Sequence, residues 1–276
     1  MDAKERLQAL GLSAKKRFSQ NFLHVPADLV FIAESLGAHG PERVLEIGPG
    51  LGALTEALLD RGLDITAVEK DSDLVSYLQK RFAGRSLRVF SEDILKFDPE
   101  RDAGLKKPLR VAGNIPYSIT SPILFWLVAH RSLIKRAVLT VQKEVAERLT
   151  GKPGHEAWGA LSVSFGAYAD ARLLRMIPRS HFHPAPKVDS AVVGLDFLEV
   201  PRYGAGDGKL FHELVARAFQ KRRKTLLNSL EDESRGRTKA RLLGVFAGLG
   251  FDPKRRPETL SVEEWVLLAG ALSGML

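Results

Sequence analysis

Asn114-Ile115-Pro116-Tyr117 brings together, in four consecutive residues, the groups that chemistry on a planar amine requires. The amino nitrogen of an adenine shares its lone pair with the ring, so it is a poor nucleophile until acceptors hold its hydrogens and favour a tetrahedral nitrogen. The Asn114 side-chain oxygen and the Ile115 carbonyl are candidates for those acceptors. Pro116 fixes its own φ and biases Ile115 toward extended backbone, which aims that carbonyl outward. Tyr117 offers a ring on which a base drawn from its stack can lie. A plain β-turn closing a strand, with Tyr117 in the core, accounts for the same residues, so the motif alone leaves both readings open.

Other residues read as parts that deliver a ligand to this turn. Gly48-Pro-Gly-Leu-Gly52 follows a short apolar run and precedes a helical one; its glycines admit close backbone approach, and a helix start behind them favours polar or anionic groups. Gly48-x-Gly50-x-x-Ala53 also fits a dinucleotide fingerprint, with Glu69 near the expected distance. Glu46, just before the glycines, is awkward for a pyrophosphate and acceptable for a cationic ligand. Glu69, at the tip of the next strand, can accept both hydroxyls of a ribose. Asp93 can accept from an adenine amino group while Ile94 packs on its ring, and a helix N-cap or loop carboxylate is the alternative reading. Phe182, in the proline-stiffened loop His181-Phe-His-Pro-Ala-Pro-Lys187, is a candidate second wall for the base, or else an aromatic plug under that loop. Residues 15–23 join a basic cluster to Gln20-Asn-Phe-Leu23 and read as a lid or clamp.

The elements that must position these residues follow from periodicity. Strands are expected at 43–47, 64–68, 87–90, 109–112, 136–141, 172–177 and 190–197, with helices at 27–36, 53–60, 73–82, 121–129, 144–149 and 158–168. Strands alternating with helices specify a mostly parallel sheet with helices on both faces, whose carboxyl edge is where such folds bind ligands. Tyr203-Gly-Ala-Gly-Asp-Gly208 reads as a linker, and the segments that follow are all helical, giving an α/β domain at 1–200 and a small all-helical domain at 201–276.

The composition is that of a soluble globular chain: 276 residues, 45% hydrophobic and 27% charged. No apolar run is long enough to span a membrane and the N-terminus is unlike a signal peptide, so a cytoplasmic protein is expected. There is no cysteine, and the His181-x-His183 pair has no third ligand at sensible spacing, so no metal is expected. The net charge of +8 points to a polyanionic partner. The stretch from Pro201 onward carries 14 Lys or Arg against 9 Asp or Glu. Lys221, Arg222, Arg223 and Lys224 read as a phosphate-contacting face beside a helix, against a plainly solvated one.

Taken in order, these stretches resemble the bacterial small-subunit (16S) ribosomal RNA adenine N6,N6-dimethyltransferase family. The segments that carry the resemblance lie at 20–23, 44–55, 68–71, 114–117, 141–149, 182–193 and 222–230. The resemblance implies a class I methyltransferase (Rossmann-like) fold with S-adenosylmethionine as donor and a helical RNA-binding domain. It implies that Asn21 and Leu23 close over the donor, that Gly48 meets it, that Glu69 holds its ribose and Asp93 its adenine amino group. Asn114 would bridge the methionine end and the target nitrogen, and Tyr117 and Phe182 would enclose the flipped base. The implied reaction dimethylates two adjacent adenosines in the 3′-terminal hairpin loop of small-subunit rRNA, within an immature 30S particle, by a monomeric enzyme. The family usually has Leu at Ile115, Gly at Ser19 and Tyr at Trp158. Asn-Ile-Pro-Tyr is also common in related enzymes that methylate large-subunit RNA and confer macrolide resistance, whereas 222–230 looks like the dimethyltransferase tail. A nicotinamide dehydrogenase and a ribosome-assembly factor with little catalysis are the other readings carried forward.

Overall fold

The computed structural model describes residues 3–11, 20–203, 208–221 and 224–273. The basic cluster at 15–17, Ser19, Arg222 and Arg223 therefore lie outside the described residues.

The chain divides into two compact units, the first made of the described residues of Met1–Ala146 with Ala171–Phe197, the second of those of Glu147–Asp170 with Leu198–Leu276. The boundary expected at 200 and 201 places Glu147–Asp170 with the α/β part; in the structure this segment belongs to the helical unit. Side-chain chemistry explains why. Trp158, 6% exposed, donates its indole N–H to the Leu260 carbonyl at 3.0 Å. Tyr168 stacks on His212 with ring centroids 5.5 Å apart.

The first unit is built on a seven-stranded sheet. Its strands are β2 (Arg43–Ile47), β3 (Asp64–Glu69), β4 (Leu87–Ser91), β5 (Leu109–Asn114), β6 (Ile134–Gln142), β7 (Ala169–Ile177) and β9 (Ser190–Phe197). They lie in the order β4-β3-β2-β5-β6-β9-β7, and a separate pair is formed by β1 (Phe22–Leu23) and β8 (Phe182–His183). From β4 to β6 every pairing is parallel, and β9 runs antiparallel to β6. The central strands are buried on both alternating faces, as Val44, Leu45, Ile65, Val111, Ala112, Val138 and Leu139 show, so helices cover the sheet on both sides. The order reverses between β2 and β5, and at such a switch point the strand tips open a crevice.

Local sequence sets how the chain leaves those tips. Gly48, Gly50 and Gly52 all have positive φ, a conformation that costs other residues about 1–2 kcal/mol. They fold the chain back into helix Ala53–Leu59. Asp71 caps helix Ser72–Arg81 by accepting from the Asp73 N–H at 3.2 Å. Pro26, at the first turn of helix Pro26–Ser35, supplies a preset φ where no amide donor is missed.

The second unit is all helical after residue 208, with helices Gly208–Gln220, Leu226–Leu230, Lys239–Leu249 and Val262–Ser273 around Trp265, Phe211 and Phe246. Many of its cations are internally paired: Arg237 with Glu213 and Asp232, Arg255 with Glu264. Lys221 and Lys224 are exposed.

Candidate active site

A cavity of about 420 Å³ opens at the carboxyl ends of β2, β3 and β5, a size suited to a nucleoside-bearing ligand. Asn21, Leu23, Gly48, Glu69, Asp93, Asn114 and Tyr117, seven of the residues singled out from sequence, line it.

Its floor is the glycine turn. An atom added at Gly48 would meet nothing within 4 Å, so this glycine faces open space. At Gly52 the same atom would lie 2.6 Å from the Phe82 ring and 2.8 Å from Leu78, so this glycine is required by packing beneath the turn.

Two acids flank the turn, and neither is an exposed strand-end charge. Glu69 is 8% exposed; its carboxylate accepts the Gly50 N–H at 3.1 Å and the Asp71 N–H at 2.9 Å. Burial raises its pKa, and those two backbone donors work against the rise. Glu46 is 1% exposed and accepts from the Thr55 hydroxyl at 2.7 Å. Burial pushes its carboxyl up to about 8, opposed by the Thr55 bond and helped by the neighbouring Glu69 charge. An acid held near neutrality ionises readily once a cation is beside it. Asp93 differs. Burial alone would raise it, but the Lys70 ammonium at 2.7 Å and the Leu95 N–H at 3.0 Å hold it low, leaving an ionised acceptor at the rim.

The catalytic candidates lie at the tip of β5. The Ile115 N–H donates to the Thr140 carbonyl on β6, so the turn is pinned to its neighbouring strand. The Asn114 Nδ2 donates to the Asn21 carbonyl at 2.7 Å, which leaves Oδ1 as the acceptor of that amide. Tyr117 is only part-buried, so the alternative of a core tyrosine under a β-turn does not hold. Its hydroxyl meets Ser190 Oγ at 2.5 Å, and burial raises its pKa against that bond, keeping it a neutral phenol.

Phe182 is placed otherwise than expected. It is 3% exposed, packs in the core cluster with Leu23, Leu29 and Ile32, and does not line the cavity. The cause is its pairing: Phe182 sits opposite Leu23 in the β1–β8 ladder, and its ring turns inward as Leu23 does. The second wall for a base is not formed by this ring as the structure stands. That ladder is what sequence reading missed, because a two-residue strand leaves no periodicity to detect. Gln20-Asn-Phe-Leu23 is thus roofed onto the loop before Pro184, with the Phe22 ring 3.0 Å from where a Gly50 side chain would begin. Among the described residues no group of three or more His, Asp or Glu is arranged to hold a metal, and His181 is engaged by Asp28 instead. No helix among them is long and apolar enough to cross a membrane.

Known proteins resemble this chain in sequence and in fold. The sequence matches the family described as ribosomal RNA adenine dimethylase over residues 11–267. A ribosomal RNA small subunit methyltransferase A from Myxococcus xanthus is 42% identical over 266 residues, covering 96% of this chain and 93% of its own. One of the same name from Pseudomonas putida is 41% identical over 263 residues, covering 94% and 95%. Among solved structures, a dimethyladenosine transferase from Plasmodium falciparum aligns with a TM-score of 0.77 at 27% identity, over 90% of this chain and 95% of that one. The 23S rRNA methyltransferase ErmE aligns at 0.74 and 28%, over 91% and 99%.

Proposed function

The chain belongs to the ribosomal RNA adenine dimethylase family, and from that footing we propose that it methylates N6 of two adjacent adenosines in the 3′-terminal hairpin loop of small-subunit rRNA. It is an S-adenosylmethionine-dependent rRNA adenine dimethyltransferase of the small-subunit type. The substrate in this reading is an immature 30S particle, engaged by one copy of the chain in the cytoplasm. The dehydrogenase reading of the glycine turn falls with the family assignment. The large-subunit reading is disfavoured, since relatives near 40% identity carry the small-subunit name while ErmE is 28% identical.

The observation that carries the proposal is the Asn114 amide, held by its nitrogen end so that its oxygen remains an acceptor at the cavity. The residues around it fit the donor. Glu69, an acceptor beside the glycine turn, would take the ribose hydroxyls, and Asp93 the adenine amino group, with Asn21 and Leu23 above and Gly48 below. Near-neutral Glu46 suits a cationic ligand. When bound, the donor supplies a methyl group on a sulfonium.

The chain's own part is alignment. Asn114 Oδ1 and the Ile115 carbonyl accept from the amino hydrogens and so localise the nitrogen lone pair, and the Tyr117 ring supports the base. No strong base is needed, because the nitrogen sheds its proton after it has become cationic. The helical domain would hold RNA phosphates through Lys221, Arg222, Arg223 and Lys224.

The test is to incubate the protein with small subunits lacking the modification and with labelled donor, then to map modified bases by mass spectrometry. Dimethylation of two neighbouring adenosines near the 3′ end is expected. Stable binding of the particle without donor consumption would instead favour an assembly factor, and label confined to large-subunit RNA would favour the resistance-type reading.

A further inference from the structure

Asp28 is a buried acid for which the chemistry above has no use. It is 5% exposed, in the first turn of helix Pro26–Ser35. Its Oδ2 lies 2.6 Å from His181 Nδ1 and its Oδ1 3.3 Å from Arg175 Nη1. A carboxylate only accepts, so the His181 proton sits on Nδ1. The Arg175 guanidinium in turn lies 3.7 Å from the centre of the Phe31 ring. An acid in the first turn of a helix is already stabilised by the positive end of the helix dipole.

What the pair does is join two segments more than 150 residues apart, and from there a chain of hydrogen bonds runs straight to the cavity. The His181 carbonyl accepts the His24 N–H at 3.1 Å. The next two residues, Phe182 and His183, pair with Leu23 and Phe22. One residue earlier, the Asn21 carbonyl takes Asn114 Nδ2 at 2.7 Å. A ladder this short is not stable by itself, since isolated two-stranded pairings are marginal even when longer. It needs a lateral tether, and the Asp28–His181 bond lies at its end.

We propose that Asp28 and His181 are positioning residues for methyl transfer: their hydrogen bond fixes the strap Asn21–His24 and, through the Asn21 carbonyl, the orientation of Asn114. The inference rests on the reading of the cavity as the donor site, so donor binding by the wild type is measured first, by calorimetry with S-adenosylhomocysteine. A wild type that binds none sinks that reading. With binding established, His181→Ala is the informative variant, because its side chain is 32% exposed whereas Asp28→Ala would leave Arg175 without its buried partner. His181→Ala is expected to weaken donor affinity and lower kcat on immature subunits by about tenfold each, equivalent to about 1.4 kcal/mol apiece. RNA affinity should stay unchanged. His181→Asn, whose side-chain N–H can replace Nδ1–H, should recover most of both losses. Donor affinity and kcat of His181→Ala within about twofold of wild type would overturn the proposal, less than half a kcal/mol being too little for a tether. So would a His181→Asn variant as impaired as His181→Ala, which would make the ring and not its bond responsible.

Discussion

The Nδ2 atom of Asn114 donates to the backbone carbonyl of Asn21 across 93 residues of chain, at 2.7 Å, and this bond decides which end of the amide faces the cavity. An amide has two ends of opposite polarity. With the donor end taken by a carbonyl, the oxygen is the end available to an incoming amine.

Asn114→Ala removes that acceptor and nothing that holds RNA phosphates. A loss of about 10²–10³-fold or more in kcat is expected, the scale seen when a single transition-state hydrogen bond is deleted. RNA affinity should be nearly unchanged in a filter-binding or anisotropy assay on the same particles. Residual dimethylation near the wild-type rate would remove Asn114 from the chemistry.

Glu46 makes stability depend on pH. Burial raises its carboxyl from 4.5 to about 8, so across that interval the folded protein keeps a proton that the unfolded chain has released. The unfolded state binds fewer protons there, so stability falls as pH rises from 4.5 to about 8 and levels off above it, by an amount on the order of 5 kcal/mol. Glu46→Gln keeps an acceptor for Thr55 and abolishes the titration. Thermal melts at a series of pH values should show the variant gaining on wild type steadily toward the alkaline end. Parallel melting curves for the two would mean that Glu46 stays ionised in the fold.

Gly48 and Gly52 share a left-handed backbone and differ in what surrounds them. Gly48→Ala meets open space, so its cost is confined to about 1–2 kcal/mol of backbone strain, and the variant should fold yet bind donor poorly. Gly52→Ala adds a collision with Phe82 and Leu78, which brings a further 1–3 kcal/mol or so of overpacking. Melting temperatures in the order wild type, Gly48→Ala, Gly52→Ala, with calorimetry on the donor product, test both halves.

Much of this was legible in the sequence because strands buried on both faces read as apolar runs, whichever way they run in the sheet. The expected strands at 43–47 and 190–197 coincide with β2 and β9, and Gly48, Glu69, Asp93 and Asn114 stand at strand tips around one cavity. What was illegible depends on partners distant in the chain. The antiparallel insertion of β9 between β6 and β7 leaves no local mark. Trp158 reads as part of a long helix, yet its N–H finds Leu260 and draws its segment into the helical unit. Phe182 reads equally as wall or plug, and only the register opposite Leu23 chooses the plug.

For the basic face, Lys221 and Lys224 are exposed at the end of helix Gly208–Gln220 and the start of the next segment. Replacing Lys221, Arg222, Arg223 and Lys224 together by Ala should weaken binding to small-subunit RNA. It should also flatten the plot of log affinity against log salt by about 0.7–0.9 for each phosphate left without its cation. An unchanged slope would return the cluster to ordinary solvated surface.

Tyr117 separates two roles that one residue can play. Its hydroxyl is fixed by Ser190 Oγ, itself fully buried at the start of β9, while its ring is the surface available to a base. If the ring is what matters, Tyr117→Phe and Ser190→Ala should behave alike, each losing only the orienting bond and less than about tenfold in kcat/KM, a bond of this kind being worth about 1 kcal/mol. Combining them should cost little more than either alone, because both remove the same interaction. Tyr117→Ala should lose the stacking surface as well, about 1–3 kcal/mol and therefore about five- to 150-fold more. Steady-state kinetics on immature subunits distinguishes the cases: a Ser190→Ala variant as damaged as Tyr117→Ala would show that the hydroxyl bond, by aiming the ring, carries the function that the ring is assigned here.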